Sequence, residues 1–244
     1  MSYKIVQIEP NKNIQILYMS EFFEAVQNGD LDKVKRLFRP EIINTKDHES
    51  DTAILKASRN PNASKIVSFL LENGASTNDR GLIDETPLIV ASQHGCRETV
   101  KILLSAGSDI HHRNAQGETA LLSAIAEGFE DIVRILIDAG SNIKAKNADG
   151  ETPLLISTKL RHRKELVIML IDAGADINVS NHEGETPIML AMGHHARYKD
   201  VVDLLMAHDT ANGTKRKTRA RKPKKTKNKS GKRQRKNVFS KKTI

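Results

Sequence analysis

Apolar and small residues recur along this chain in a fixed pairing, each pair set off by a threonine. The threonines are Thr52, Thr86, Thr119, Thr152 and Thr186, at intervals of 34, 33, 33 and 34 residues. Two positions after each stands an apolar residue (Ile54, Leu88, Leu121, Leu154, Ile188), and three further on a small one (Ala57, Ala91, Ala124, Ser157, Ala191). An i, i+3 pair of this kind gives a helix one narrow face that neighbours can approach closely. A second set of apolar positions follows: Val67/Leu70/Leu71, Val100/Leu103/Leu104, Val133/Leu136/Ile137, Val167/Leu170/Ile171 and Val201/Leu204/Leu205. Their i, i+3, i+4 spacing predicts a second helix with a buried stripe.

The residues around these faces agree with two helices per unit. Thr is a good N-cap because its hydroxyl accepts a bond from an orphan amide of the first helical turn. Pro87, Pro153 and Pro187 follow it at the first helical position, where a missing N–H costs nothing. Gly74, Gly107, Gly140 and Gly174 stand where the second helices should close, as left-handed residues. The segments between units, such as SDIHHRNAQGET and SNIKAKNADGET, are dense in Asn, Asp and Gly and should form hairpin loops. An opening stretch, Phe22 to Phe38, keeps Gly29 and a Val34/Leu37/Phe38 triplet without the Thr-Pro start. The units at Thr52, Thr152 and Thr186 hold one extra residue between their helices, so those connections should be longer or irregular. The last unit replaces its closing Ala-Gly with Ala207-His208, as expected of a terminal unit with a more polar outer face.

Gly-Glu-Thr-Pro-Leu at residues 150–154 and Ala-Gly-Ser-Asn-Ile at 139–143 look like the ankyrin repeat, and their variants recur over about residues 45–207. The resemblance implies an all-α solenoid of stacked helix-turn-helix units joined by hairpin loops. It divides the chain into an N-terminal extension (1–18), a degenerate capping helix pair (19–44), five repeats (about 45–80, 81–113, 114–146, 147–180 and 181–212) and a tail (213–244). It also implies a protein-binding scaffold, monomeric, with loops and first helices lining a concave surface. The partner-facing positions are then Gln116, Glu118, Asp149, Glu151, His182, Glu183 and Glu185 on the loops. On the first helices they are Gln93, His94, Glu127, Lys159, Leu160 and His194. Any one of these could simply be solvated. Glu85, Glu118, Glu151 and Glu185 recur along one edge and would favour a basic partner surface. The simpler reading is that a Glu just before a helix start suits the helix dipole.

Charge separates the tail from the rest. The chain holds 39 Lys and Arg against 30 Asp and Glu, but residues 213–244 hold 16 of the former and none of the latter. The body is therefore −7 and the tail +16. Such a segment cannot bury enough apolar surface to offset its ordering entropy and is expected to be disordered. Lys215, Arg216, Lys217, Arg219, Arg221, Lys222, Lys224, Lys225, Lys232, Arg233, Arg235 and Lys236 form clusters similar to a nuclear import signal. The same charges would bind RNA or DNA through counterion release, without base preference because aromatics are missing apart from Phe239. A third role is solubilising or intramolecular.

Catalytic signals are thin. His111-His112 and His194-His195 lie in no HExxH pattern and beside no cysteine cluster, so exposed histidine is the expectation, with no metal. Cys96 follows Gly95 in an inter-helix turn without a polarising partner. No Gly-rich phosphate loop is present, and no cofactor or enzymatic activity is expected. A single cysteine precludes an intrachain disulfide, and no apolar run reaches the ~18 residues of a membrane span. The N-terminus lacks a signal-peptide core. An intracellular protein, cytoplasmic or nuclear, is expected. The many Ile, Lys and Asn residues fit an AT-rich genome, and with it a host-directed protein delivered into another cell.

Overall fold

The computed structural model describes the backbone of residues 10–160, 164–193 and 199–220, and the side chains of 17–160, 164–193 and 199–209. Its helices are α1 (Pro10–Asn28), α2 (Leu31–Leu37), α3 (Ala53–Ser58), α4 (Ser64–Glu72), α5 (Pro87–Gln93), α6 (Arg97–Ser105), α7 (Ala120–Glu127), α8 (Glu130–Asp138), α9 (Pro153–Lys159), α10 (Lys164–Asp172), α11 (Pro187–Gly193) and α12 (Lys199–Ala220). A short 3-10 turn lies at Pro40–Ile42. No strand occurs among the described residues, and a single antiparallel bridge joins Lys46 to Thr52. The protein is all-α.

The odd-numbered helices α1 to α11 pack in chain order as one row, and α2 to α10 pack behind them as a second. Lys164 of α10 reaches Asp200 of α12 at 3.1 Å. The repeat face made this possible: Ala57, Ala91, Ala124, Ser157 and Ala191 are all fully buried where one first helix meets the next. Leu88, Leu121 and Leu154 are buried beside them. Each such leucine contributes roughly 1.5–3 kcal/mol relative to an exposed one.

Helix ends follow the sequence signals closely. Thr86, Thr119, Thr152 and Thr186 each accept a bond from the amide three residues on, at 3.3–3.4 Å. Thr52 makes no such bond, and its buried hydroxyl oxygen has no partner. The closing glycines have φ of +80° to +90°. In α6, Ser108 N–H reaches Leu103 C=O and Gly107 N–H reaches Leu104 C=O, both at 3.1 Å. That paired closure recurs after α4, α8 and α10 and satisfies carbonyls the helix leaves open. Connections lengthen where an extra residue was counted: 59–63 link α3 to α4, whereas 128–129 link α7 to α8. Asn60 organises the longer loop by donating to Gln27 C=O at 3.0 Å and accepting from Asn62 N–H at 2.9 Å.

Helix α1 begins at Pro10, so part of the N-terminal extension expected over residues 1–18 is helical. Proline suits a helix start, and Tyr18 fastens this added length by donating its hydroxyl to Leu37 C=O. At the other end, α12 continues to Ala220, so the backbone bearing Lys215, Arg216, Lys217 and Arg219 is helical where disorder was expected from residue 213. Lys, Arg and Ala are good helix formers, and extending an existing helix needs no new nucleus. Residues 221–244, with the remaining tail cations, lie outside the described residues. The contacts also divide the chain at Asp209, with the stack before it. Finally, among the described residues, α11 of the terminal unit exposes apolar side chains where a more polar outer face was expected. Met189 and Met192 of α11 are 57% and 58% exposed, at positions where earlier units bury Ile89 and Ser92.

Candidate functional site

The loops between units form five fingers, residues 47–51, 81–85, 114–118, 147–151 and 181–185, the last three built on one local design. In the third, Asn114 Oδ1 accepts from the N–H groups of Gln116 and Glu118 at 3.0 and 2.9 Å. Asn147 does the same for Asp149 and Glu151, and Asn181 for Glu183 and Glu185. Each Asn amide also donates to the carboxylate of its finger's last Glu, at 3.5, 3.1 and 2.8 Å. Glu118, Glu151 and Glu185 are thus fixed by their own fingers as well as placed before a helix start. The signal that sequence reading passed over is an Asn four residues ahead of each Glu.

Consecutive fingers are joined by backbone. Ile83 C=O accepts from Ala115 N–H at 2.9 Å, Gln116 C=O from Ala148 N–H at 2.9 Å, and Asp149 C=O from His182 N–H at 3.1 Å. Basic side chains add to this: Lys46 donates to Arg80 C=O, Arg113 to Lys146 C=O and Lys146 to Ser180 C=O. The result places Gln116, Asp149 and Glu183 at equivalent, exposed positions of successive fingers.

The other candidates fare differently. Gln93 and Glu127 are exposed at the ends of α5 and α7. His94 is exposed too, with its Nδ1 2.9 Å from Val90 C=O. Lys159 is paired with Glu151, and that bond, reinforced by the charges of Glu185 and Glu183, raises its pKa. Leu160 is half-buried against the core. His182 lies against Gly150, where an added Cβ would come within 2.6 Å of its ring. His194 lies outside the described residues. The expectation of exposed histidine fails for His112, whose side chain is 9% exposed. Its Nε2 is 2.7 Å from Asp84 C=O, so it ties the second finger to the third.

The first two fingers depart from the design. Asp47 takes the Asn position of the first and accepts from Glu49 and Asp51 N–H. Gly81 takes it in the second, where the Glu85 carboxylate accepts from Ile83 N–H at 3.0 Å. A Cβ at Gly81 would sit 2.8 Å from that carboxylate, so the two replace one another in space. Neither is joined to the other by the backbone ladder: Glu49 C=O and Leu82 N–H, equivalent to the bonded pairs above, make no such bond. Charged side chains link them instead, because Arg59 of α3 bridges Asp51 and Glu85. Lys56, also on α3 and buried, lies 2.6 Å from Asp47 and 2.7 Å from Glu49. Burial works against the Asp47 charge, but the bonds from Lys56, Asp51 and Glu49 outweigh it and lower its pKa. Burial likewise opposes the Lys56 charge, but the carboxylates of Asp47 and Glu49 raise its pKa overall.

Beside these fingers lies a groove of about 850 Å³ lined by Gln27, Glu49, Lys56, Arg59, Leu82, Ile83 and Glu85, among others. A second cavity of about 490 Å³ shares Gln27 and Lys56 with it and has Met19 and Phe23 in its lining. Leu82 and Ile83, 79% and 42% exposed, replace the pairs Ala115/Gln116, Ala148/Asp149 and His182/Glu183 of later fingers. Sequence reading missed this region because its residues break the repeat consensus. Cys96 is buried at the start of α6, and burial pushes its thiol up to about 11, leaving it protonated and unreactive. Among the described residues no cluster of His, Cys, Asp and Glu could hold a metal, and no helix is long and apolar enough to cross a membrane.

The family model described as Ankyrin repeats (3 copies) matches residues 22–114, 103–181 and 121–217. No curated protein matches the chain. Among solved structures, an ankyrin repeat domain from Acinetobacter baumannii AYE is 29% identical, with a TM-score of 0.69, covering 76% of this chain and 96% of that one. With helix pairs, closing glycines and fingers in one register, this chain belongs to the ankyrin-repeat family.

Proposed function

We propose that this protein is an interaction scaffold that binds a macromolecular partner along its fingers and first helices and catalyses nothing itself. Ankyrin repeats generally mediate protein–protein interaction, which supports a protein as the partner here. The observation that carries the reading is the row Gln116, Asp149 and Glu183, exposed side chains repeated on a hydrogen-bonded ladder. A row held this rigidly loses little conformational freedom on docking, which favours binding. The tail sets where the scaffold resides or contacts an anionic partner.

A photo-crosslinking side chain placed singly at Gln116, Asp149 or Glu183 should trap one discrete partner in the cell of origin. The same group at Lys101 or Arg134, in the second row of helices, should not. Equal trapping from both rows would refute the assignment of the face. Deleting residues 213–244 should change where the protein resides and leave the finger adducts intact.

A further inference from the structure

We propose that the gap between the first two fingers receives an extended peptide segment of the partner carrying Lys or Arg beside aliphatic side chains. This rests on the scaffold reading above and names the chemistry of what is bound.

Three observations converge on the gap. The first is the interrupted ladder. Every later pair of fingers is closed by a backbone bond, but Glu49 C=O and Leu82 N–H are left without one. Both residues line the groove, and a free acceptor and donor at that joint suit an extended strand, which supplies both complementary groups from its own backbone. The second is apolar. Leu82 and Ile83 stand exposed and line the groove, and Met19 and Phe23 line the cavity that shares Gln27 and Lys56 with it. Exposed aliphatics at a finger tip do nothing for the stack itself, and they offer anchorage to an aliphatic side chain.

The third is charge. The cations lining the two cavities are already engaged: Lys46 with Arg80 C=O, Lys56 with Asp47 and Glu49, and Arg59 with Asp51 and Glu85. Carboxylates outnumber them, since Glu24 adds a fifth to Asp47, Glu49, Asp51 and Glu85. The Glu49 side chain remains 58% exposed while holding Lys56. An incoming Lys or Arg meets unbalanced negative charge there, and an incoming Asp or Glu is repelled.

The test uses the full chain and three short fluorescein-labelled peptides, read by anisotropy. One alternates Lys and Arg with Leu and Ile, the second puts Ser in place of the aliphatics, and the third puts Glu in place of the cations. The first peptide should bind, weaken as salt rises, and lose about tenfold in affinity to Leu82→Ser/Ile83→Ser. Glu49→Gln should weaken it about threefold and flatten the salt dependence. Leu82→Ser/Ile83→Ser alters exposed side chains and should leave the melting temperature unchanged, whereas Glu49→Gln also loosens the Lys56 pair and lowers it. A single cooperative melt in each verifies that the stack is intact. Equal binding of the first and second peptides, or full affinity in the Leu82→Ser/Ile83→Ser protein, overturns the proposal. Partner adducts at Gln116, Asp149 and Glu183 with no peptide affinity at this gap overturn it too, and leave the broader scaffold reading standing.

Discussion

Four residues beyond its threonine, the repeat that starts at Thr119 buries Ser123, whereas the repeat that starts at Thr52 buries Lys56. Ser123 Oγ donates to the Thr119 carbonyl of its own helix at 3.2 Å, and the position asks nothing of its neighbours. Lys56 must be matched by Asp47 and Glu49 of a finger. The consequence spreads outward. Around Ser123 the fingers close on one another through backbone bonds. Around Lys56 they are held by ion pairs and leave a groove. One solenoid register thus tolerates two ways of joining its units, and the charged way leaves open surface.

The largest test of that contrast exchanges the two buried side chains for alanine. Lys56→Ala leaves the Asp47 carboxylate buried without its cation and should cost about 3–5 kcal/mol in thermal or denaturant unfolding. Ser123→Ala removes one local bond and should cost about 1 kcal/mol or less. Comparable losses would break the comparison.

Titration sharpens it. The Asp47 pKa is depressed below its ordinary 3.8, so the stability it supplies is complete above that value and lost as pH falls through the folded one. The Lys56 pKa is raised above 10.5, so its share is complete below that value and lost as pH rises through the folded one. In hydrogen exchange at acid pH, amides of α3 should therefore lose protection before those of α7.

Smaller effects belong to the fingers and caps. Asn147→Ala removes the acceptor shared by Asp149 and Glu151 and should cost about 1–2 kcal/mol in unfolding experiments. Thr119→Ala deletes a helix cap worth about 1 kcal/mol, but Thr52→Ala should cost less, because Thr52 makes no capping bond. A Thr52→Ala loss equal to that of Thr119→Ala would mean that the unpartnered hydroxyl contributes after all.

What the sequence disclosed was whatever repeats. The spacing of threonines, glycines and apolar triplets marked helices, caps and closures, because each depends on contacts within one unit or between equivalent units. Glu118, Glu151 and Glu185 were visible as a series, but the Asn that fixes each was not read as its partner. Leu82, Ile83, Lys56 and Arg59 escaped because their roles arise from departures at single positions, brought together across more than one unit. Periodicity says nothing about such places. The length of α1 and the exposed methionines of α11 were missed for a related reason, since the ends of a stack have no neighbour on one side to declare what they need.

The finger-to-finger bonds bear on how such a chain can change over generations. Donor and acceptor always come from equivalent places in adjoining units, from Ile83 and Ala115 through Asp149 and His182. A tandem duplication of one whole unit in that stretch would regenerate the same bond at the new junction, so growth there needs no compensating substitution. A duplication breaking between residues 49 and 82 would meet no such rule and would have to rebuild the charged joint as well. Gain and loss of units should accordingly concentrate beyond residue 83, with the amino-terminal end inherited as one block.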